Sequence, residues 1–381
     1  MKRNFGMILS LAFIGTAFSA FATAALVYLA GMITYPVSLL EAFTYGALIA
    51  ATDPVSVLAT LSSISVDRNL YICVFGESAL NDAVSVILFR LAQSFAHPDF
   101  HFSTSTFLAT TFLAIGVFFG SMVLGYFLGM VLSKLLKHAK LNHEPHVEVI
   151  MMFVFAYLSY IISEWLHLSG IVAILFCGMS TTHYASHNFS DEAGNLAKGF
   201  LRVLASLSET MIFVYLGLGL AAFGNGETIY NWGFIALSIV SILIARCHVF
   251  IIATIANVFR SKQKRMPMNQ QGFLWYCGLR GGICFVMALQ LTENDNYRPE
   301  YTKVILGTTL MTVFTTIIFF GAWTVSLLDI LKLKLTEEQV RQADAKVEET
   351  IGTLTNNPTI VSFIKSFDKK YTKHTLLMTG T

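Results

Sequence analysis

Ten apolar segments joined by short polar loops leave this chain few ways to fold. They run over about residues 5–30, 37–61, 70–92, 106–136, 147–165, 168–184, 197–223, 231–259, 269–291 and 301–330. Most exceed the ~20 residues an α-helix needs to cross the hydrocarbon core of a bilayer. In that medium no water is available to backbone N–H and C=O groups, so each span is expected to be a helix that satisfies its own backbone. Only 13% of the 381 residues are charged, against about 25% in soluble globular proteins. The expected fold class is an all-α membrane protein of about ten transmembrane helices. Segment 168–184 is the weakest span, because only Gly170–Met179 is continuously apolar. The stretch beginning at Met7 continues to about Ala30, too long for the apolar region of a signal peptide, and reads as a span.

Charge orients the spans. Lys2 and Arg3, Arg68, Lys134, Lys137 and Lys140, Lys198 and Arg202, and the cluster Arg260–Arg265 fall on one side. Arg90, Arg298 and Lys303 fall on the other. The positive-inside rule then puts both termini in the cytosol. Residues 1–331 form the membrane domain, and 332–381 a polar cytosolic tail with an amphipathic helix expected near Thr336–Ile351. The sequon at Asn188 falls inside and is expected to go unused. The net charge of +2 argues against nucleic acid as a partner. The five cysteines lie in apolar stretches without a CxxC pair and read as packing residues. HExxH is absent, and Gly217-Leu218-Gly219 is followed by Leu220 instead of the Asp of a GxGD protease. No enzyme and no cofactor are expected.

A charge at mid-bilayer costs roughly 2.5–3.5 kcal/mol on insertion scales, so each one needs a reason. Six stand out: Asp53, Glu77, Asp82, Glu209, Arg246 and Arg280. Each admits a plainer reading as a structural ion-pair member. Asp53 precedes Pro54, which removes a backbone donor and biases Asp53 away from helical geometry. A break at that depth is tolerated where it is buried or lines a cavity, and freed carbonyls beside an aspartate suit a cation; a simple proline kink is the alternative. Gly278-Leu279-Arg280-Gly281-Gly282 predicts a second break, with Arg280 at its weak point. In the span 70–92, Glu77 and Asn81 share a face, while Asp82 lies about 140° round from Glu77, nearer Ser78 and Ser85. Glu77 is therefore expected to pair with Arg246, placed mid-helix in 231–259, and Asp82 to face a water-filled cavity. Glu209, in Ser208-Glu209-Thr210, reads as structural or gating.

Several of these segments together resemble the Na⁺/H⁺ exchanger family. They are Ala51-Thr52-Asp53-Pro54-Val55, Phe75-Gly76-Glu77-Ser78-Ala79-Leu80-Asn81-Asp82-Ala83-Val84, Leu168-Ser169-Gly170-Ile171, Ser208-Glu209-Thr210 and Gly278-Leu279-Arg280-Gly281-Gly282. The likeness covers about residues 4–330 and looks most like the organellar, Golgi and endosomal branch. Gly282-Ile283-Cys284 departs from it, since the family more often has alanine after Arg-Gly; altered packing is the expected effect.

The resemblance implies a thirteen-helix inverted-repeat antiporter fold with two broken crossing helices, of which this chain carries about ten. The register assigns helices at about 5–92 and 231–330 to an ion-carrying core, 106–136 to a linker and 147–223 to a scaffold. Three helices are expected to be missing before Met1. The implied activity is electroneutral exchange of Na⁺ or K⁺ for H⁺, with Asp82 binding either a proton or the metal cation. Asn81, Asp53, Thr52 and Ser78 join Asp82 at the ion, and Glu77, Arg246, Arg280 and Glu209 serve as ion-pair or gating residues. Core motion against the scaffold, a homodimer of the complete protein in the lipid bilayer, and a Golgi or endosomal membrane are further implications. The rival readings are a truncated or non-transporting regulatory homologue and a cation channel.

Overall fold

The computed structural model describes residues 5–334 apart from 54–56, 59, 62–63, 65, 99, 101–102, 140–143, 223–228 and 259–264. Its elements are α1 (Phe5–Leu9), a π-helical stretch (Ser10–Gly15), α2 (Thr16–Gly31), α3 (Leu39–Ile49), α4 (Arg68–Phe95), α5 (Thr104–Ala139), α6 (Pro145–Trp165) and α7 (Gly170–His183). A 3-10 turn (Ala185–His187), α8 (Asp191–Ala222), α9 (Trp232–Ala245), α10 (His248–Val258), α11 (Met268–Tyr276), α12 (Gly282–Thr292) and α13 (Pro299–Ile330) follow. Pro54 and the expected tail helix lie outside the described residues.

All ten apolar segments carry helix, and the described residues include 7 spans long and apolar enough to cross a membrane. The other three segments differ for local reasons. Segment 168–184 holds only the 14-residue α7. Segments 37–61 and 269–291 are interrupted, as their Pro54 and glycine signals predict. The expected unbroken helix over 231–259 needs correcting. Arg246 is the C-cap of α9, not a mid-helix residue. Cys247, Val249 and Phe250 each donate to the carbonyl three residues back, at 3.0, 3.1 and 3.1 Å. That tightening produces a joint between α9 and α10 without proline or glycine.

Two compact units divide the chain: Met1–Thr110 with Thr210–Val340, and Thr111–Glu209 with Arg341–Thr381. In the first unit α3 is held against α2, α4 and α12, and Tyr301 of α13 donates to its Glu41 carbonyl. Helices in lipid associate through close packing of small residues, since lipid tails are as apolar as leucine. Gly46 of α3 provides this: a Cβ there would lie 2.3 Å from the Ala20 carbonyl oxygen of α2. The start of α3 is a capping box, legible in Ser38-Leu39-Leu40-Glu41. The Ser38 hydroxyl accepts from the Glu41 N–H, and the Glu41 carboxylate accepts from the Ser38 N–H.

The second unit uses the same devices. Gly125 and Gly129 of α5 bring that helix onto α7, where added Cβ atoms would meet the Ala173 carbonyl and the Ser180 side chain. Glu148, 1% exposed, accepts from the backbone N–H and hydroxyl of Ser190, just before α8. The side chain of Asn188 is buried and donates to the Ser133 carbonyl and hydroxyl, so the sequon asparagine is engaged in packing.

Gly46→Val should lower the melting temperature of the detergent-solubilised protein, because backbone rather than a movable side chain blocks the new Cβ; overpacking of this kind costs about 1–3 kcal/mol. Gly178→Ala, where nothing lies within 4 Å of the added methyl, should leave melting unchanged or raise it. Equal loss in both variants would refute the close-packing role of Gly46.

Candidate functional site

The two interrupted segments meet in the first unit. α3 ends at Ile49, Ala51–Asp53 run without helical structure, and Val57, Leu58, Thr60 and Leu61 are helical again. α11 ends at Tyr276, and α12 begins at Gly282 after the non-helical stretch Gly278–Gly281. The stretches cross, with the Asp53 N–H donating to the Leu279 carbonyl at 2.9 Å.

A helix ending inside an apolar core leaves carbonyls that must find donors. Arg280, fully buried, donates from Nη1 to the Ala50 and Ala51 carbonyls at 3.0 and 3.2 Å. Its charge therefore sits at the negative end of the α3 dipole. The Cys284 thiol donates to the same Ala51 carbonyl at 3.2 Å. From α4, Ser78 donates to the Thr52 carbonyl at 2.7 Å and Ser85 to the Ala47 carbonyl at 2.6 Å. Asn81 grips Thr52 at two points. Its Oδ1 accepts from the Thr52 N–H at 3.0 Å, and its Nδ2 donates to the Thr52 hydroxyl oxygen at 2.6 Å.

Close approach marks all three glycines, and at Gly282 an added Cβ would lie 2.6 Å from the Ile212 Cγ2. A Cβ on Gly281 would lie 2.2 Å from the Asp53 Cβ and 2.4 Å from its Oδ2. Asp53 thus packs on the N-cap of α12, where a helix dipole favours an anion. A Cβ on Gly278 would lie 2.6 Å from Nε of Arg246.

Arg246 completes a second cap. Its Nη1 lies 2.7 Å from Oε1 of Glu77, and its Nη2 donates to the Leu274 carbonyl in the last turn of α11 at 3.1 Å. Both side chains are almost fully buried. The Glu77–Arg246 pair therefore forms as the sequence leads one to expect. The contact to α11 has no sequence signal, because it depends on where α9 is interrupted. Two buried arginines thus play matching parts: Arg280 caps the first half of one broken helix, and Arg246 the first half of the other.

Among the described residues, the buried polar atoms of the crossing without a hydrogen-bond partner are Nε and Nη2 of Arg280, Nε of Arg246 and Oδ1 of Asp82. Asp53 and Cys284 lie within electrostatic range of Asp82. The oxygens gathered here are two carboxylates and the Thr52 hydroxyl, hard donors of the type a monovalent cation takes. Among the described residues no group of three or more His, Cys, Asp or Glu forms a metal centre. The sequence-derived residues Asp53, Thr52, Ser78, Asn81, Asp82, Glu77, Arg246 and Arg280 are thus brought together by the crossing. Glu209 stands half-buried in α8, in the second unit. Sequence reasoning missed Thr316, whose hydroxyl accepts from the Arg280 N–H at 3.2 Å, and treated Cys284 as packing alone. It also passed over His248, buried at the α9–α10 joint with Nδ1 2.8 Å from the Ala245 carbonyl.

Glu77→Gln or Arg246→Gln should each destabilise the protein by about 3–5 kcal/mol, since each leaves the other charge buried and unpaired. The double variant should melt closer to wild type than either single. Melting losses that add in the double variant would show that the pair contributes no coupling.

The family model described as "Sodium/hydrogen exchanger, transmembrane" matches residues 1–329. The chain is 36% identical to an uncharacterized Na(+)/H(+) antiporter of Schizosaccharomyces pombe, over 92% of this chain and 61% of that protein. It is 34% identical to the endosomal/prevacuolar sodium/hydrogen exchanger of Saccharomyces cerevisiae, over 91% and 57%. It is likewise 34% identical to sodium/hydrogen exchanger 8 of Homo sapiens, over 87% and 57%. The chain therefore spans about three-fifths of the length of these relatives. The solved structure of the sodium proton antiporter MjNhaP1 from Methanocaldococcus jannaschii at pH 8 matches 87% of this chain and 80% of its own, with a TM-score of 0.67 at 18% identity, a likeness of fold. A family match over nearly all of the membrane-spanning part, with relatives above 30% identity, places this chain in the sodium/hydrogen exchanger family.

Proposed function

We propose that this chain carries the ion-transporting core of a secondary antiporter that exchanges Na⁺ or K⁺ for H⁺ across a membrane, with Asp82 as the carrier. The observation behind this reading is the buried Asp82 Oδ1, a carboxylate oxygen at the crossing without a hydrogen-bond partner. A carboxylate in that position is relieved by a proton or by a cation. The two compete for one group, and the competition couples their flows. Asp53 and the Thr52 hydroxyl supply further oxygens in this reading, and Asn81 and Ser78 hold Thr52 in place. The carbonyls of Ala50, Ala51 and Thr52 already accept protein hydrogen bonds. The ligand set therefore rests more on side chains than the sequence alone implies.

Asn81 ahead of Asp82 leaves a single carboxylate on this turn of α4, which fits an electroneutral cycle of one cation for one proton. A cycle that moved one net charge would be coupled to voltage by about 2.3 kcal/mol per 100 mV. The basic residues of the loops support cytosolic termini, and the endosomal/prevacuolar relative supports a Golgi or endosomal membrane. In this reading 106–136 is a linker, 147–223 a scaffold, and the complete protein a homodimer in lipid.

Asp82→Asn should abolish Na⁺-driven proton movement in proteoliposomes that carry the full-length protein, while insertion and melting stay near wild type. Proton movement near the wild-type rate in this variant would exclude Asp82 as the carrier. For wild type, imposing a membrane potential with a K⁺ ionophore should leave the initial exchange rate unchanged. A rate that follows the potential would exclude the electroneutral cycle.

A further inference from the structure

The N-terminal end of α3 carries a cluster that the ion site does not use. Arg298, the N-cap of α13, grips Glu41 with both teeth of its guanidinium fork: Nε to Oε1 at 2.8 Å and Nη2 to Oε2 at 2.6 Å. Its Nη2 also donates to the Pro36 carbonyl at 3.1 Å. Tyr301 donates to the Glu41 carbonyl at 2.6 Å. The Tyr297 hydroxyl lies 2.9 Å from the Thr44 hydroxyl of α3 and donates to the Ala92 carbonyl of α4 at 3.4 Å. An exposed ion pair alone contributes little. Here the Glu41 side chain is only 7% exposed, and two buried tyrosines share the grip.

We infer that Arg298, with Tyr297 and Tyr301, is a positioning clamp for the cation, acting through α3 from its far end. The inference rests on the exchange reading above. α3 has 11 residues, so it is a rod of roughly 16 Å. One end is held by this clamp; the other runs into Thr52 and Asp53. Asp82 belongs to α4. Tyr297 touches both α3 and α4 at the clamp end, and Ser85, Ser78 and Asn81 tie them at the site end. The distance from Thr52 and Asp53 to Asp82 is therefore pinned at both ends of the rod.

Cation and proton place different demands on that distance. A cation needs oxygens from both helices at fixed separation, whereas a proton needs Asp82 alone. Loosening the clamp should weaken cation binding without changing how Asp82 takes a proton. Misplacement of a ligating group by even 1 Å can cost about 100-fold, so a partial loosening is expected to raise the Na⁺ KM about tenfold while the maximal rate holds.

The test uses the full-length protein in proteoliposomes with Arg298→Gln, Arg298→Lys and Tyr297→Phe. Arg298→Gln should raise the Na⁺ KM about tenfold with the maximal rate within about twofold of wild type. Arg298→Lys keeps the charge but loses the fork and should fall between. Tyr297→Phe leaves the ion pair whole and should shift KM in the same direction, which tests the clamp even where Arg298→Gln inserts poorly. The pH below which KM begins to climb reports protonation of Asp82 and should not move in any variant. An unchanged KM in well-inserted Arg298→Gln and Tyr297→Phe would overturn the inference, as would a maximal rate that falls at constant KM. A wild-type protein without cation-driven proton movement would instead overturn the exchange reading. Radioactive Na⁺ binding to the purified variants then reads the clamp directly, with weaker binding supporting it and equal binding refuting it.

Discussion

Backbone polar groups released inside an apolar core must be given partners, and the crossing of two broken helices meets that demand at one place. In water, the ends of α3 and α11 would be solvated. Between packed helices they need partners from the protein: two buried guanidinium groups, a thiol and two serine hydroxyls donate to freed carbonyls, and the Asn81 amide oxygen accepts from the Thr52 N–H. Each arginine brings a charge that hydrocarbon disfavours. Each is placed at the C-terminal end of a half-helix, where that charge answers the dipole. Glu77 then completes the neutralisation of Arg246. Remove these partners and neither break is tolerable, and without the breaks no oxygens are gathered at Asp82.

The freed carbonyls of this network have donors, while Nε and Nη2 of Arg280, Nε of Arg246 and Oδ1 of Asp82 are buried without hydrogen-bond partners. Asp53, Asn81, Ser78, Ser85 and Arg280 are held in fixed places by one another and by the backbone they cap. A rigid surround presents Asp82 with a poor hydrogen-bonding environment that thermal motion does not easily repair. In the proposed reading, the free energy of that unsatisfied carboxylate oxygen is the drive to take up a proton or a cation. Clamping of α3 at its other end extends the same rigidity along the helix, so the site is a property of a whole helical frame.

Small residues make that frame possible. Gly46 brings α2 and α3 together, Gly281 lets Asp53 reach the start of α12, and Gly278 lets Arg246 pass the second break. In a soluble protein the hydrophobic effect would drive such contacts. In lipid, dispersion between closely fitted surfaces and buried hydrogen bonds do more of the work, so an added methyl is felt directly.

Sequence alone determined most of the helical segments and which charged residues demand an explanation. Apolar length predicts helices, Pro54 and the glycine run predict the two breaks, and 100° spacing separates Glu77 from Asp82 on α4. The rarity of charge in apolar segments singles out Asp53, Asp82, Arg246 and Arg280, because local physics makes each costly wherever it ends up. The capping box at Ser38–Glu41 is legible for the same reason: its partners are three residues apart. Tertiary structure alone decided which long-range partners meet. Arg280 on the Ala50 and Ala51 carbonyls, Arg246 on Leu274, and Arg298 on Glu41 join residues 28 to 257 positions apart. The joint at Arg246 and the engagement of Cys284 depend on the same packing. Hydropathy and periodicity describe a helix against its surroundings, but the choice among many possible donors for a freed carbonyl is made by distance and direction in the folded bundle.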